Sequence, residues 1–274
     1  MDVRHEELET PGAVTLDVKL SAGRLEIETG PEGSTVVELE ALGGEDSQRA
    51  VENARIEVRR DGERSRVVVH VRGERRLLRF GKEDVHARIR VPERSDVEAS
   101  SASADVESHG LLGSARVQVA SGEIELDALA GDVEVSSASG DVDLRAVEGD
   151  ASVSTASGDV RVQSVGGSAR IRTASGDVVV ADARGPLDVQ SASGDQRVEA
   201  VREGKVSLKS ASGDLSVGIR QGSSLWVDAR SMSGDMSSEI ELDAEPGDDG
   251  GGPLVELRAM SMSGDVEVLR APGA

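Results

Sequence analysis

Aspartates follow glycines at a nearly constant interval along much of this 274-residue chain. Most of these pairs follow a Ser-Ala-Ser triplet or a close variant, and successive glycines are 18 residues apart from Gly122 to Gly194. If the repeats stack as strands, the carboxylates lie about 4.8 Å apart, and a hard cation such as calcium would relieve their repulsion. Local backbone N–H groups can satisfy the same carboxylates without a metal.

We expect the carboxylates to bond to backbone N–H groups, with no bound metal and no cofactor. Calcium-binding nonapeptide repeats need more glycine than the one per half-turn found in this chain. Glycine tolerates the positive φ of a tight bend, and the neighbouring aspartate can hydrogen-bond local backbone. The predicted structural turn residues are Gly122, Gly140, Asp141, Gly158, Asp159, Gly176, Asp177, Gly194, Asp195, Gly213, Asp214, Gly234, Asp235, Gly264 and Asp265.

A column of serines shares this spacing and would be a candidate set of nucleophiles. A serine nucleophile needs a neighbouring base, and all four histidines of the chain precede the regular repeats. Stacked hydroxyls can instead hydrogen-bond along the strands, so we predict no catalytic residues. The serines are Ser139, Ser157, Ser175, Ser193 and Ser212, and the histidines are His5, His70, His86 and His109.

Carbohydrate-active solenoid enzymes form a weaker alternative. Carboxylates are so frequent here that no glycosidase pair stands out, and the arginines that would bind an acidic sugar form a broken column. We therefore predict that the protein is not an enzyme. The arginines of the broken column are Arg145, Arg161, Arg170, Arg172, Arg184 and Arg197.

Short strands must position these corners. An apolar, variable, apolar triplet such as Val142-Asp143-Leu144 follows most Gly-Asp pairs, and this period of two is typical of strands. Equal repeats that cannot bury a core alone must stack in register. We predict an all-β parallel β-solenoid (β-helix) with turns of about 18 residues. The apolar set expected in one turn is Val142, Leu144, Val147, Ala151, Val153 and Ala156.

The first part of the chain lacks the regular step. We expect residues 1–95 to form an irregular amino-terminal β-cap continuous with the solenoid, and residues 96–274 to form the regular solenoid with a loop insertion near 245–253. A short helix is expected at Asp46–Ala54, capped by Asp46 or Ser47. The strands predicted in the cap are Val14–Leu20, Arg24–Thr29, Thr35–Leu42, Arg55–Arg60, Arg66–Arg72 and Val85–Val91.

The carboxyl end differs from the regular repeats. We expect Trp226 to plug the core there and the turn Met260–Leu269 to close the array. Met232 and Met262 replace the corner alanine, which indicates either a widened core or an apolar end that binds a partner. The loop around Glu245–Gly252 could cover the open edge, which another copy would otherwise occupy.

Charge and composition exclude several functions. The chain has 31 Lys and Arg against 52 Asp and Glu, a net charge of −21, so we predict no binding to nucleic acid or to anionic membranes. It has no cysteine, and no apolar run is long enough to span a membrane. Met1–Gly12 does not resemble a signal peptide, which predicts a cytoplasmic protein, or a surface protein if an export signal precedes this sequence. The basic run Arg72–Arg79 predicts a solvated hairpin, with a docking patch as the alternative.

The repeated Ser-Ala-Ser-Gly-Asp-Val corners resemble the bacterial β-strand-repeat family labelled "putative adhesin", also described as toast-rack-like. The resemblance covers about residues 10–270, with Val91-Pro92 as the step that precedes the turns from Ala104 to Asp265. It implies a β-solenoid with an envelope or surface role and supplies no catalytic residues.

We expect a non-enzymatic structural or binding scaffold, adhesin-like, that presents repeated polar faces. It would engage a protein partner or self-associate through a solenoid end. The alternative is a self-assembling subunit of a head-to-tail filament.

Overall fold

The computed structural model describes residues 3–61, 64–71, 83–240 and 253–271. The chain divides into two compact units, Met1–Gly140 and Asp141–Ala274. Strands account for most of both units and pair mainly in parallel. The predicted all-β parallel solenoid is confirmed. Within the described ranges, no helix is long and apolar enough to cross a membrane.

The first unit is organised around one long strand, β2. Its first half pairs with β5 and its second half with β6 along one edge, while β7 follows most of the other edge. β8 and β9 then stack on β7, and β10 stacks on β8, all in parallel. The strands are β1 (Val3–Thr10), β2 (Val14–Gly30), β3 (Gly33–Ala41), β4 (Arg55–Asp61), β5 (Arg64–His70), β6 (Asp84–Pro92), β7 (Asp96–Leu112), β8 (Ala115–Ser121), β9 (Ile124–Leu129) and β10 (Val133–Ser139).

Antiparallel strands complete this unit. β3 pairs with β6, β1 with β3, and β4 with β5, and the helix α1 (Glu45–Glu52) packs against β1, β3 and β6. Because these strands run antiparallel to their neighbours, they end the parallel stack with an edge that does not continue the parallel pairing. β1 was not predicted because charged residues such as Arg4 and Glu6 occupy its half-buried positions.

Two details of the prediction for this unit are corrected. The strands expected at Val14–Leu20 and Arg24–Thr29 are the single strand β2. The helix forms, but Gly44 is its N-cap and no side chain caps it. Ser47 is instead a helix residue whose side chain is fully buried. The division at residue 95 stays a prediction.

The second unit contains two parallel ladders. Its strands are β11 (Val142–Val147), β12 (Ala151–Ser157), β13 (Val160–Val165), β14 (Ala169–Ser175), β15 (Val178–Ala183), β16 (Leu187–Ser193), β17 (Gln196–Val201), β18 (Gly204–Ser212), β19 (Leu215–Ile219), β20 (Ser224–Ser231), β21 (Met236–Ser238), β22 (Leu254–Ser263) and β23 (Val266–Arg270). One ladder has the order β11–β13–β15–β17–β19–β23–β21, and the other has the order β12–β14–β16–β18–β22–β20.

The last turn of the chain is not the last turn of the stack. β22 lies between β18 and β20, and β23 lies between β19 and β21. The prediction that Met260–Leu269 closes the array is therefore wrong. The chain passes through β20 and β21 first, and the final turn then fills the space between them and the preceding turn. The predicted loop insertion lies mostly outside the described residues.

Apolar side chains of equivalent positions stack in columns through the second unit. Val160 pairs with Val142 on one side and Val178 on the other, and its exposed fraction is 0%. The corner position differs from the prediction, because Thr155 points inward while Ala156 is exposed. Alternation from Ala151 through Val153 leads to Thr155, and its hydroxyl donates to the Ser157 carbonyl, 3.0 Å away.

Val160→Asp should lower the free energy of unfolding by several kcal/mol, because it places an unpaired charge in this closed column. Arg161 points outward from the same strand, so Arg161→Asp should change that energy by less than about 1 kcal/mol. Urea unfolding of the two variants measures both values. Equal effects would show that the inward and outward positions are assigned wrongly.

A glutamine interrupts one inward column. Gln196 lies between Val178 and Leu215 and is buried; its Nε2 donates to the Lys209 carbonyl, 2.8 Å away. Its Oε1 has no hydrogen-bond partner among the described residues. A buried carbonyl without a partner lowers stability.

Gln196→Leu preserves the side-chain volume and removes this carbonyl. It should raise the free energy of unfolding by about 1 kcal/mol. Thermal or urea unfolding beside the wild type checks this, with Gln190→Leu on the outward face of β16 as the matched control. A loss of stability in Gln196→Leu alone would contradict the prediction.

Candidate functional site

The corner glycines are required by backbone geometry. Each glycine of the predicted turn set has a positive φ, for example 124° at Gly176. A Cβ added at Gly176 would lie 2.2 Å from the carbonyl oxygen of Gly158 in the preceding turn. The same contact, at 2.0–2.3 Å, recurs at Gly122, Gly140, Gly194, Gly213, Gly234 and Gly264. Two independent reasons, the φ angle and the close approach of the next turn, therefore select glycine.

The corner aspartates form a hydrogen-bonded ladder. The backbone N–H of Asp177 donates to Oδ1 of Asp159, 2.9 Å away, and the N–H of Asp195 donates in turn to Oδ1 of Asp177. The bonds connect Asp141, Asp159, Asp177, Asp195, Asp214, Asp265 and Asp235, in that order. A charge-assisted bond of this kind joins each turn to the next.

The opposite corner repeats the arrangement once in the second unit. The N–H of Ser168 donates to Oδ1 of Asp150 at 2.7 Å, and this bond lowers the pKa of the Asp150 carboxyl. The aspartate carboxylates are thus engaged by protein donors in both kinds of corner. Among the described residues, no three His, Asp or Glu side chains are grouped as metal ligands.

The predicted serine column, which includes Ser175 and Ser193, is exposed at the corners. The hydroxyls that bond lie two residues earlier, at the inward corner position: Thr173 Oγ1 donates to the Ser175 carbonyl at 2.9 Å, and Ser191 Oγ donates to the Ser193 carbonyl. Each histidine faces a carboxylate instead; His70 Nε2 lies 3.1 Å from Asp17 Oδ1, for example. The other three pairs are His5 with Glu38, His86 with Glu26 and His109 with Glu107.

Arginines of the predicted broken column lie near carboxylates. Arg161 is 3.5 Å from Asp159, Arg170 is 3.8 Å from Asp188, and Arg184 is 3.2 Å from Asp182. The arginines of these pairs are exposed, so the pairs contribute little to stability. They place opposite charges side by side on the outward faces of the strands and at their ends. The basic run Arg72–Arg79 lies outside the described residues.

A polar hollow of about 630 Å³ in the first unit was not predicted. Arginines of β4 and β5 line this hollow, and some of these arginines form ion pairs with carboxylates. Arg55 contacts Glu57 at 2.8 Å, and Arg66 contacts Glu98 at 2.9 Å. The alternating Arg-x-Glu-x-Arg pattern of β4 was the available signal, but alternation of charge also describes any solvated strand. The lining residues are Asp17, Asn53, Arg55, Arg59, Arg60, Arg66, Val68 and His70.

Apolar side chains are exposed at the carboxyl end of the stack. Trp226 is 39% exposed on the outward side of β20, with the Arg258 guanidinium 5.9 Å from its ring centre, so it does not plug the core. Met232 and Met262 occupy the outward alanine position and are 82% and 59% exposed, which rules out a widened core at these two positions. Met236 and Met260 are exposed as well.

Gly176→Ala should destabilise the second unit by several kcal/mol, since the methyl group would overlap a carbonyl of the adjacent turn in a strained φ region. Ala174 is exposed two residues earlier, so Ala174→Ser is the matched control and should be within about 0.5 kcal/mol of the wild type. Chemical unfolding measures both. Similar stability of the two variants would show that the corner tolerates a side chain.

Several solved structures are similar to this chain. Among solved structures, a "putative adhesin" from Bacteroides fragilis is 14% identical over 98% of this chain and 97% of its own, with a TM-score of 0.49. A "putative cell adhesion protein" from Clostridium sporogenes is 12% identical, with coverages of 98% and 99% and a TM-score of 0.31. A "putative lipid binding protein" from Parabacteroides distasonis is 11% identical, with coverages of 98% and 97% and a TM-score of 0.39.

No curated protein matches the chain. The family model described as Toastrack DUF4097 matches residues 14–269, which is nearly the whole sequence. The resemblance noted from the Ser-Ala-Ser-Gly-Asp corners is thereby confirmed, and the chain belongs to the Toastrack DUF4097 family.

Proposed function

We propose that this protein is a non-enzymatic, adhesin-like binding scaffold whose recognition surface is formed by the outward strand positions. One observation carries the proposal: each regular turn uses its inward residues for the core and its Gly-Asp corner for the ladder. Only the outward strand positions are left free of both tasks.

These outward positions vary from turn to turn while the frame beneath them stays constant. The equivalent positions of β11, β13, β15, β17 and β19 are Asp143, Arg161, Val179, Arg197 and Ser216. Parallel pairing holds such side chains about 4.8 Å apart. Stacked repeats commonly bind through extended surfaces of this kind.

Many polar groups of the repeats make structural contacts. Inward corner hydroxyls such as that of Thr173 donate to backbone carbonyls, corner aspartates accept backbone N–H groups, and each histidine faces a carboxylate. These contacts favour a structural use of the repeated residues over a nucleophile or an acid–base pair.

A head-to-tail filament is less well supported. It needs two open and matching ends, whereas β1 and β4 at the end of the first unit are antiparallel to their neighbours. They also carry alternating charges, such as Arg4 with Glu6 and Arg55 with Glu57, which discourage the addition of another strand.

The proposal predicts that charge reversal on an outward strand face abolishes binding. Arg161→Glu with Arg197→Glu changes one column of the strand face. Arg184→Glu with Arg202→Glu makes the same change in charge at exposed positions beyond the strand ends. Retention of labelled protein on immobilised bacterial cell-wall sacculi and on collagen is the measurement.

We expect the wild type and the control to bind at least one of these surfaces, and the strand-face variant to lose at least about tenfold in affinity. Equal binding of both variants would contradict a strand-face recognition surface. Release of soluble fragments from the sacculi, undiminished by the strand-face changes, would favour an enzyme.

A further inference from the structure

Among the described residues, β20 is the outermost strand of its ladder, and one of its edges is open. Within the described part of the chain, β20 pairs with β22 alone. The N–H of Ser224 donates to the Pro253 carbonyl and the N–H of Met232 donates to the Ser261 carbonyl, so even-numbered residues bond inward to β22. Because these groups alternate along a strand, Leu225, Val227, Ala229 and Ser231 direct their N–H and C=O groups to the open edge.

Apolar surface surrounds this edge. Trp226 and Met232 are exposed on its outward side, and the inward residues Leu225 and Val227 are only partly covered. Met236 continues the inward column beside Val266 but is 60% exposed because the stack ends there. An exposed apolar rim along a free strand edge is characteristic of an association surface.

We propose that this edge binds a second copy of the chain, with the two β20 strands antiparallel and related by a two-fold axis at Ala229. Residues whose numbers are symmetric about 229 then face each other. Asp228 lies opposite Arg230 of the second copy, and Trp226 lies opposite Met232 of the second copy. Each pairing occurs twice, as an isologous interface requires.

The charges of β20 select this register. Asp228 and Arg230 are outward neighbours, with Arg230 Nε 3.2 Å from Asp228 Oδ1 in the single chain. A two-fold axis at residue 228 or at residue 230 would place like charges directly opposite each other, which is destabilising. An axis at residue 227 would place Asp228 opposite Trp226. Only the axis at Ala229 matches both the charges and the apolar residues.

The backbone hydrogen bonds are compatible with this register, as with an axis at any other residue of β20. With the axis at Ala229, odd-numbered residues face odd-numbered residues, so the free N–H and C=O groups form the hydrogen-bonded pairs. The even-numbered residues then form the non-hydrogen-bonded pairs, in which side chains lie closest, about 4.5 Å between Cα atoms. Asp228 with Arg230, and Trp226 with Met232, therefore meet where cross-strand contacts are strongest, and methionine sulfur packs favourably on an aromatic ring.

The complementarity of charges and apolar residues is confined to the two β20 edges. The proposed dimer does not depend on the binding-scaffold proposal. The whole chain carries −21, which opposes random association, whereas the paired edges balance one positive and one negative side chain from each copy. A partner of different sequence would need the complementary charge order by coincidence. The second copy has that order by symmetry.

Charge exchange tests the interface. Asp228→Arg and Arg230→Asp should each raise the dimer Kd about tenfold or more, because each variant places like charges across both symmetric contacts. The double variant carrying both changes restores opposite charges and should recover the wild-type Kd. Sedimentation velocity over a dilution series measures these constants, and Arg202→Asp at an exposed corner serves as the control.

A cysteine cross-link checks the axis directly, since the native chain has no cysteine. In Ala229→Cys the two Cα atoms would lie about 5.5 Å apart, within disulfide range, and mild oxidation should give a covalent dimer. The control Ser223→Cys places its two sulfurs about 40 Å apart and should not cross-link.

A wild type that stays monomeric throughout the series overturns the proposal, as does a double variant that fails to recover. If only deletion of residues 241–252 produces dimers, the edge belongs to the chain's own segment and the proposal is wrong. Loss of binding to sacculi or collagen without loss of the dimer would bear on the recognition surface alone.

Discussion

Close stacking of one corner on the next is the constraint on which the second unit depends. At Gly176 the backbone approaches the carbonyl of Gly158 so closely that no side chain fits between them. The neighbouring carboxylate of Asp159 then accepts the N–H of Asp177, which fixes the register of adjacent turns. A slip of one residue would break this bond and turn the inward side chains outward.

Register has consequences for the interior. With turns held about 4.8 Å apart, each inward position contacts its equivalents above and below, so valine, leucine and isoleucine pack as continuous columns. The corner threonine or serine can also point inward because its hydroxyl bonds to a carbonyl two residues later, as at Thr173. In the described part of the second unit, Gln196 Oε1 and the inward corner hydroxyl of Ser210 are buried without such a partner.

The core and the corners are nearly the same in each regular turn. Residue types and strand arrangement differ mainly at the ends of the two units and on the outward faces of the strands. Antiparallel strands and a helix complete the first unit, whereas the second unit ends in β20 and β21, where Trp226, Met232 and Met236 are exposed. Outward positions along the turns belong neither to the core nor to the corner ladder, and their residue types differ between repeats. The two surfaces that we propose for recognition and for self-association are therefore different, and each has its own chemistry.

The sequence alone determined the solenoid, its 18-residue step and most inward positions, because these follow from periodic spacing and alternation. It did not determine β1, whose half-buried residues are charged, nor that Thr155 rather than Ala156 points inward. Only the tertiary structure placed β22 between β18 and β20 and left Trp226 at the surface. The spatial order of the last strands depends on which strand edges are still unpaired when the final segment folds back. The repeat spacing of the sequence does not contain that information.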